Sequence, residues 1–169
     1  KSVMRLINEV IEPRIISRVD LLIANSPGHQ KWHHSHYSLE KMPELVTNAR
    51  PHLDFERNYD IRRDANISPD EKLLLFIGNA NPGYGLEELI CSLPMLSENV
   101  HLALLGYIPE TYKNTIEELV SSLELECRFH VLKPVEYKYV PEYASGADIG
   151  VIGLQRNVLN MQLCLPNRF

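Results

Sequence analysis

Apolar and polar positions in the second half of this chain follow two periods, which predict strands alternating with helices. The clearest strand is residues 72–77 (KLLLFI), whose interior is wholly apolar, as in a strand covered on both sheet faces. Shorter apolar runs predict further strands at residues 101–105, 128–132 and 148–152, the last of them buried. Helical spacing predicts helices at residues 61–65, 86–96, 110–123 and 139–144. This alternation favours an α/β fold with a parallel, doubly wound sheet.

The first 50 residues carry a weaker form of the same pattern. Its predicted elements are an amphipathic helix over residues 1–18 bent at Pro13, short strands at residues 21–24 and 44–47, and a helix over residues 27–37 that starts at Asn25-Ser26-Pro27. This stretch is too short to bury a core of its own. We therefore predict that residues 1–50 are the tail of a preceding domain.

Residues 51–169 are predicted to form a second domain. The segment 48–58 (NARPHLDFERN) has no period and contains a proline, so it is the best linker candidate. The chain starts at Lys1 and stops at Phe169 after a structured-looking run without a closing helix. We therefore expect it to be a piece of a larger protein.

Composition excludes several classes of function. With 44% hydrophobic residues, 23% charged residues and a net charge of −5, the chain has the balance of a globular protein and no basic stripe for nucleic acid. No apolar run approaches the ~18 residues of a membrane span, and no signal-peptide pattern opens the chain. Its three cysteines, Cys91, Cys127 and Cys164, are far apart and predict buried thiols in a reducing compartment. We expect a cytoplasmic protein.

A glycine loop, residues 78–85 (GNANPGYG), joins the first strand of the sheet to its helix. Glycines let a backbone approach a ligand, and the N–H groups at a helix start favour an anion. The spacing departs from the G-x-G-x-x-G of dinucleotide-binding proteins. Tyr84 and Gly85 also stand where a triphosphate-binding loop needs Lys and Ser or Thr. The loop is either an anion-binding segment or a plain strand-to-helix turn.

Two further residues follow strands at the same edge of the predicted sheet. Gly106 ends the second strand, and either a turn or a ligand contact explains it. Lys133 follows the third strand, where it could meet a phosphate, line a base pocket or lie exposed. Asp148 is expected to tie a turn rather than to act in catalysis.

The histidines of the first 50 residues have the spacing of metal ligands on a helix, because His29, His33 and His36 lie three and four residues apart. No carboxylate or cysteine nearby completes a ligand set. We therefore expect a solvated or interface surface there and predict no metal site.

Segments with motif character occur in a fixed order over essentially the whole chain. They are residues 46–51 (VTNARP), 75–78 (LFIG), 84–90 (YGLEELI), 100–106 (VHLALLG), 140–150 (VPEYASGADIG), 159–160 (LN) and 165–169 (LPNRF). In this order they resemble the donor-binding half of GT-B glycosyltransferases, most closely the family 4 enzymes of bacterial surface-polysaccharide assembly. P-N followed by Lys or Arg after the last strand is the most specific of these motifs. The resemblance implies a Rossmann-like sheet that forms one GT-B half, incomplete at its C-terminal end.

The resemblance also implies where a nucleotide-sugar donor lies, namely across the carboxyl ends of the strands. The residues that would face its diphosphate are Gly78, Asn79, Tyr84, Gly85 and Arg168. Those that would lie near its nucleoside are Gly106, Leu132, Lys133 and Val135. Those that would lie near the sugar and phosphates are Asn157, Asn160, Pro166 and Asn167.

The sequence departs from this family at three points. Many members carry Arg and Lys where Asn79 and Tyr84 stand here, and each such charge-assisted phosphate contact is typically worth ~1.5–3 kcal/mol. Arg168 and Lys133 are candidates to compensate. The family often carries two glutamates with seven residues between them. The later one would fall beyond Phe169, and the place of the earlier one falls near Leu163, where the glutamate is absent, so no catalytic residue is assigned. The acceptor-binding domain is mostly missing, so we expect no turnover by this chain alone.

The function implied by the resemblance is sugar transfer by a retaining glycosyltransferase of the hexosyltransferase type. Such an enzyme moves a sugar from a nucleotide-sugar donor to a glycan or lipid-linked acceptor in surface-polysaccharide biosynthesis, without a metal or other cofactor. The acceptor and any peripheral contact with the inner face of the membrane would belong to the missing domain. Two alternatives are a non-catalytic subunit that binds sugar nucleotides or glycans, and a nucleotide-sugar epimerase of the same fold.

Overall fold

The computed structural model describes residues 7–48, 60–155 and 159–165. These residues fall into two compact units, the first formed by residues 7–48 with 159–165 and the second by residues 60–155. The predicted domain boundary at residue 50 and nearly all of the predicted linker, residues 48–58, lie outside the described residues.

Strands and helices alternate through the described residues. A π-helical turn at Ile7–Ile11 leads into α1, and short 3-10 turns at Leu93–Met95 and Tyr137–Tyr139 flank other helices. The elements are α1 (Glu12–Ile16), β1 (Ile23–Ala24), α2 (Pro27–His36), β2 (Glu44–Leu45), α3 (Ile61–Asp64), β3 (Lys72–Ile77), α4 (Leu86–Ser92), β4 (Val100–Leu105), α5 (Glu110–Ser122), β5 (Phe129–Leu132), α6 (Val140–Ala144), β6 (Ile149–Gly150) and α7 (Leu159–Leu163).

The first unit contains a small parallel pair, in which β1 lies beside β2. Helix α2 starts where the sequence predicts it, because Ser26 is extended and its hydroxyl accepts a hydrogen bond from His29 N at 3.0 Å. Pro27 follows in the first turn, where its missing N–H has no partner to lose. The two strands are shorter than predicted.

The second unit is built on a parallel sheet with the strand order β5-β4-β3-β6. All six residues of β3 pair with β4, from Lys72 opposite Val100 to Ile77 opposite Leu105. Strand β3 has the predicted bounds, and β4 and β5 differ from the prediction by one residue at their start. The predicted α/β class with a parallel sheet is confirmed.

Successive side chains of β3 and β4 point to opposite faces of the sheet and contribute to two apolar layers, one on each face. On one face, Phe76 and Leu104 pack with residues of α4 and α5, including Ile116. On the other face, Leu75 and Leu105 pack with α3 and α6. Full burial of such a side chain stabilises the fold by about 1.5–3 kcal/mol. These layers therefore fix the sheet and, with it, the positions of the strand ends.

The prediction of a buried strand at residues 148–152 is wrong in both length and burial. Strand β6 has two residues, and its Ile149 is 57% exposed. The reason is its place at an edge of the sheet, because β6 pairs with β3 alone among the described strands. An apolar run indicates burial only when a neighbour covers it.

The prediction of buried thiols is also wrong. Cys91 and Cys127 are exposed, and Cys164 is half-buried. Cys91 lies on the outer side of α4, whose Leu86 and Ile90 fill the core, and Cys127 lies in the turn before β5.

At the amino end of the first unit, the predicted helix over residues 1–18 is seen from Ile7, and residues 1–6 lie outside the described residues. The predicted bend at Pro13 coincides with the change from the π-helical turn to α1. No helix in the described ranges is both long and apolar enough to cross a bilayer.

Candidate functional site

The glycine loop follows β3 at the carboxyl edge of the sheet, and three of its glycines have a positive φ. These are Gly78 at 105°, Gly83 at 84° and Gly85 at 80°, a backbone region that side chains disfavour. The start of the loop is fixed to the end of β4 and to the residues that follow it, because Gly78 N donates to Leu105 O and Ala80 N donates to Tyr107 O, each at 2.9 Å. Glycine is therefore required by the path of this loop.

Gly106 lies directly beside Gly78, at the neighbouring strand end. A Cβ atom placed on Gly106 would stand 2.2 Å from Gly78 O, closer than any real contact. Gly106 is buried, and its N–H donates to Leu132 O at 3.3 Å. The ends of β3, β4 and β5 thus meet through Gly78, Gly106 and Leu132.

A cavity of about 540 Å³ lies between α5 and β5 and runs from Gly106 and Lys133 at this edge to Ser121 and Glu126 at the opposite edge. Three of the four residues assigned to a nucleoside, Gly106, Leu132 and Lys133, line it. The fourth, Val135, packs against the apolar layer on the other face of the sheet. The remaining walls are mainly the apolar residues Ile108, Ile116, Val120, Phe129, Val131 and Pro134. The charged residues of the lining are the glutamates Glu110, Glu117 and Glu126 and the lysines Lys113 and Lys133. The apolar walls suit a flat heterocycle, and the two lysines are the cations available to a negative group that it carries.

Asn79 and Tyr84 differ in how they sit on the loop. Asn79 is exposed, whereas Tyr84 is half-buried and packs against the apolar layer that contains Phe76. The amide of Tyr84 closes a turn by donating to Asn81 O at 3.0 Å. Asn79 is thus exposed to solvent, whereas Tyr84 contributes to packing.

Asn160 belongs to the first unit, where α7 packs against α2. Its Oδ1 lies 3.0 Å from His29 Nε2, and the Ser26 hydroxyl donates to Leu163 O at 2.5 Å. The other residues assigned to the donor from the end of the chain lie outside the described residues, and they are Asn157, Pro166, Asn167 and Arg168.

The histidines of α2 form a ring-stacked row rather than a ligand set. Trp32 stacks on His36 with centroids 4.2 Å apart, and His33 stacks on Tyr37 at 5.7 Å. Across residues 7–48, 60–155 and 159–165, no group of three His, Cys, Asp or Glu side chains is placed to hold a metal ion.

Charged groups at the amino end of the sheet serve its structure. Asp148 accepts from Leu73 N at 2.7 Å and from Arg62 Nη2 at 2.5 Å. The bond from Leu73, followed by that from Arg62, holds the pKa of Asp148 below its usual range. Asp148 therefore ties β6 to β3 and α3, in agreement with its expected role in a turn.

Sequence reasoning missed two residues that touch the glycine loop, Gly153 and Gln155. A Cβ on Gly85 would lie 1.7 Å from Gly153 O, and Gln155 N donates to Gly83 O at 3.1 Å. The available signal was a glycine just after the last apolar run. Nothing in the local pattern shows which distant segment such a glycine meets.

Comparison with known proteins gives a family and a fold. Residues 58–162, more than half of the chain, match the family model of glycosyl transferases group 1. Among curated protein sequences none matches the chain significantly.

Solved structures share the fold at low sequence identity. Sucrose-phosphate synthase from Thermosynechococcus elongatus superposes with a TM-score of 0.70 at 21% identity, over 90% of this chain and 38% of that one. HepE from Anabaena in complex with UDP-glucose gives 0.66 at 17% identity, over 83% of this chain and 40% of that one. HepE with UDP and glucose gives 0.64 at 17% identity, over 83% and 41%.

The chain thus spans about two fifths of the length of these proteins. The predicted Rossmann-like GT-B fold is confirmed by the parallel sheet and by these superpositions. Because the family model covers more than half of the sequence, the chain belongs to the glycosyl transferases group 1 family.

Proposed function

We propose that this chain is the donor-binding part of a retaining, family 4 glycosyltransferase. It transfers a hexose from a nucleotide sugar to a glycan or lipid-linked acceptor in surface-polysaccharide biosynthesis. The observation that carries the proposal is the cavity between α5 and β5. Three residues assigned to the nucleoside line this cavity, and one of them, Gly106, touches Gly78 of the loop assigned to the diphosphate.

In the proposed binding mode the nucleoside occupies the cavity and the diphosphate lies over the start of the glycine loop. Lys133 is exposed at the cavity and supplies a positive charge. The Asn79 side chain supplies an uncharged donor. Groups that hold the charge developing on the leaving diphosphate lower the barrier to transfer. The proposal invokes no metal ion or other cofactor.

Uridine nucleotides are the first ligands to test. HepE, which shares this fold, has been crystallised with UDP and with UDP-glucose. The shared fold supports a nucleoside diphosphate as the first ligand class to test on this chain. We place the protein in the bacterial cytoplasm, with the acceptor and any contact with the inner face of the membrane supplied by other parts of the protein.

A second candidate is a subunit that binds a nucleotide sugar without transferring it. The observation that favours it is the loss of charge at two positions, Asn79 and Tyr84, where many of the resembled enzymes carry Arg and Lys. Tyr84 packs against the apolar layer and so leaves that position without a cation. Binding of a nucleotide sugar by the full-length protein, without release of the sugar in the presence of acceptor, would favour this candidate.

The proposal can be tested by mapping UDP onto the chain with amide chemical shifts from NMR. We expect the largest shifts at Gly78, Asn79, Gly106 and Lys133, together with smaller shifts along α5. UMP should perturb the cavity residues but affect Gly78 and Asn79 less, because it lacks the second phosphate. Saturating UDP that shifts none of these amides, or that shifts only residues 7–48, would contradict the proposed site.

A further inference from the structure

The segment that follows β6 leaves the sheet and lies against the glycine loop. Val151 N donates to Leu75 O at 2.9 Å, which keeps residue 151 on the sheet. A few residues later, Gln155 N donates to Gly83 O at 3.1 Å. Residues 151–155 therefore connect the sheet to the middle of the loop.

The two backbones are in contact at Gly85 and Gly153. A Cβ on Gly85 would lie 1.7 Å from Gly153 O, and a Cβ on Gly153 would lie 2.8 Å from Gly85 O and 3.0 Å from Gly85 Cα. The distances to the two carbonyl oxygens are shorter than real Cβ contacts. Each glycine is thus the residue that allows the other segment to approach.

The side chain of Gln155 adds a second connection. Its Nε2 donates a hydrogen bond to a carboxylate oxygen of Glu88, in the first turn of α4. The segment therefore contacts the loop through Gly83 and Gly85, and contacts the helix that follows the loop through Glu88. Residues 151–155 therefore contact both the backbone of the loop and the helix that follows it.

We propose that Gly153 and Gln155 are positioning residues for the glycine loop, which they hold in the conformation that receives the diphosphate of the donor. The inference rests on the proposed function of this loop. Both residues act through the loop, whose residues Gly78 and Asn79 face the ligand in the proposed binding mode.

Gly153 offers a direct test because its backbone differs from that of Gly85. Gly85 has a φ of +80°, whereas Gly153 lies outside the left-handed region, so alanine at 153 brings no backbone strain of its own. Its methyl group would meet Gly85 O at 2.8 Å. Because both neighbours are backbone, one segment has to move, and the glycine loop is the segment contacted.

The experiment measures the affinity of this chain for a nucleoside diphosphate and for the matching monophosphate by calorimetry, with UDP and UMP as the first pair. We expect Gly153→Ala to weaken UDP binding about tenfold or more while UMP binding changes about twofold or less, because the displaced loop serves the second phosphate. The matched control is Gly146→Ala, whose new methyl meets the side chain of Ile61 at 2.6 Å, away from the loop. It should keep the wild-type affinities.

The contact between Gln155 and Glu88 is tested by exchanging the two groups. Gln155→Glu places two carboxylates together and should weaken UDP binding more than Gln155→Ala, for which about a threefold loss is expected. Adding Glu88→Gln to Gln155→Glu restores one amide and one carboxylate at the same net charge. This double variant should recover most of the affinity for UDP.

Several results would overturn the inference. A folded Gly153→Ala chain that binds UDP like the wild type would do so, as would equal losses for UDP and UMP, because a purely structural defect lowers both. If Gly153→Ala fails to fold, the exchange of Gln155 and Glu88 decides alone, and absence of rescue counts against the proposal. A wild-type chain that binds none of UDP, GDP, dTDP and ADP overturns the proposed function and this inference with it.

Discussion

Gly106 places the ends of two strands in contact by having no side chain. Its missing Cβ would lie 2.2 Å from the carbonyl oxygen of Gly78, and Gly106 also lines the cavity between α5 and β5. The sequence left open whether this glycine served a turn or a ligand. The structure supplies a packing reason at a position that also borders the proposed nucleoside site.

Replacement of Gly106 by alanine should therefore affect both stability and binding. We expect a loss of about 1–3 kcal/mol in the free energy of unfolding, because the added methyl displaces Gly78 in a closely packed strand end. UDP affinity should fall with it. Urea unfolding and calorimetry measure the two effects, and a variant with wild-type stability and affinity would contradict the close contact.

Lys133 is one of two exposed lysines at the cavity that we assign to the donor, and the other, Lys113, lies 3.9 Å from Glu117. Lys133→Ala should lower the affinity for UDP by about tenfold, as expected for a hydrogen bond to a charged group, and the loss should shrink at high salt. Lys138→Ala is the matched control, because Lys138 pairs with Glu136 and lies outside the cavity lining. Equal effects of the two substitutions on UDP binding would remove Lys133 from the site.

At the scale of elements, the local pattern of apolar residues predicted the bounds of a strand but not whether a strand is buried. Strand β3 has the predicted bounds, because a wholly apolar run bounded by polar residues leaves one placement in a covered sheet. Strand β6 carries a similar apolar run but is exposed, since burial depends on neighbours that the run itself does not specify. The alternation of strand and helix periods predicted the order of the elements, but it did not predict which of them are buried.

The residues of the candidate site also divide into those that a local pattern indicates and those that depend on contacts between distant segments. Gly78, Gly85, Gly106 and Lys133 could be predicted because each stands at the end of a predicted strand or the start of a predicted helix. The contact of Gly153 with Gly85 joins segments far apart in the chain, and no local period encodes it. Val135, which was assigned to the nucleoside, packs against the apolar layer that contains Leu75 and Leu105, as Leu132 of the cavity lining also does.

Strands β4 and β5 carry two neighbouring histidines, His101 and His130, and the pKa of His130 is lowered. His101 Nδ1 lies 3.0 Å from His130 Nε2, and His101 Nε2 lies 3.3 Å from Glu71. Burial, and then the neighbouring His101, lower the pKa of His130. Between the ordinary histidine pKa of about 6.5 and this lowered value, the unfolded chain binds more protons than the folded one.

The free energy of unfolding should therefore fall as the pH decreases below about 6.5. The lowered pKa of Glu71, due first to the hydrogen bond from Ser68 N, adds a further loss at more acidic pH in the same direction. His130→Gln should make the dependence between pH 7 and pH 5.5 shallower. Urea unfolding across this range tests it, and equal slopes for variant and wild type would contradict the role given to His130.

At the scale of the whole molecule, the described residues form two units and the family match reaches into both. The match covers residues 58–162, which extends past the second unit into α7 of the first. Asn160 lies on α7 and was assigned to the donor on the basis of its place in the motif order. Its hydrogen bond to His29 joins residues far apart in the chain, so sequence patterns alone did not indicate it.

In the proposed binding mode, the second unit binds a nucleoside diphosphate at the carboxyl edge of its sheet. A thermal-shift series of this chain with UDP, GDP, dTDP, ADP and CMP measures this binding most directly. A ligand at 100 times its dissociation constant stabilises a fold by about 2.7 kcal/mol, which raises the melting temperature by several degrees for a domain of this size. We predict such a rise with one diphosphate, kept in Lys138→Ala and about halved in Lys133→Ala, because a tenfold weaker affinity leaves about 1.4 kcal/mol of stabilisation. A melting temperature unchanged by all of the nucleotides would contradict the account.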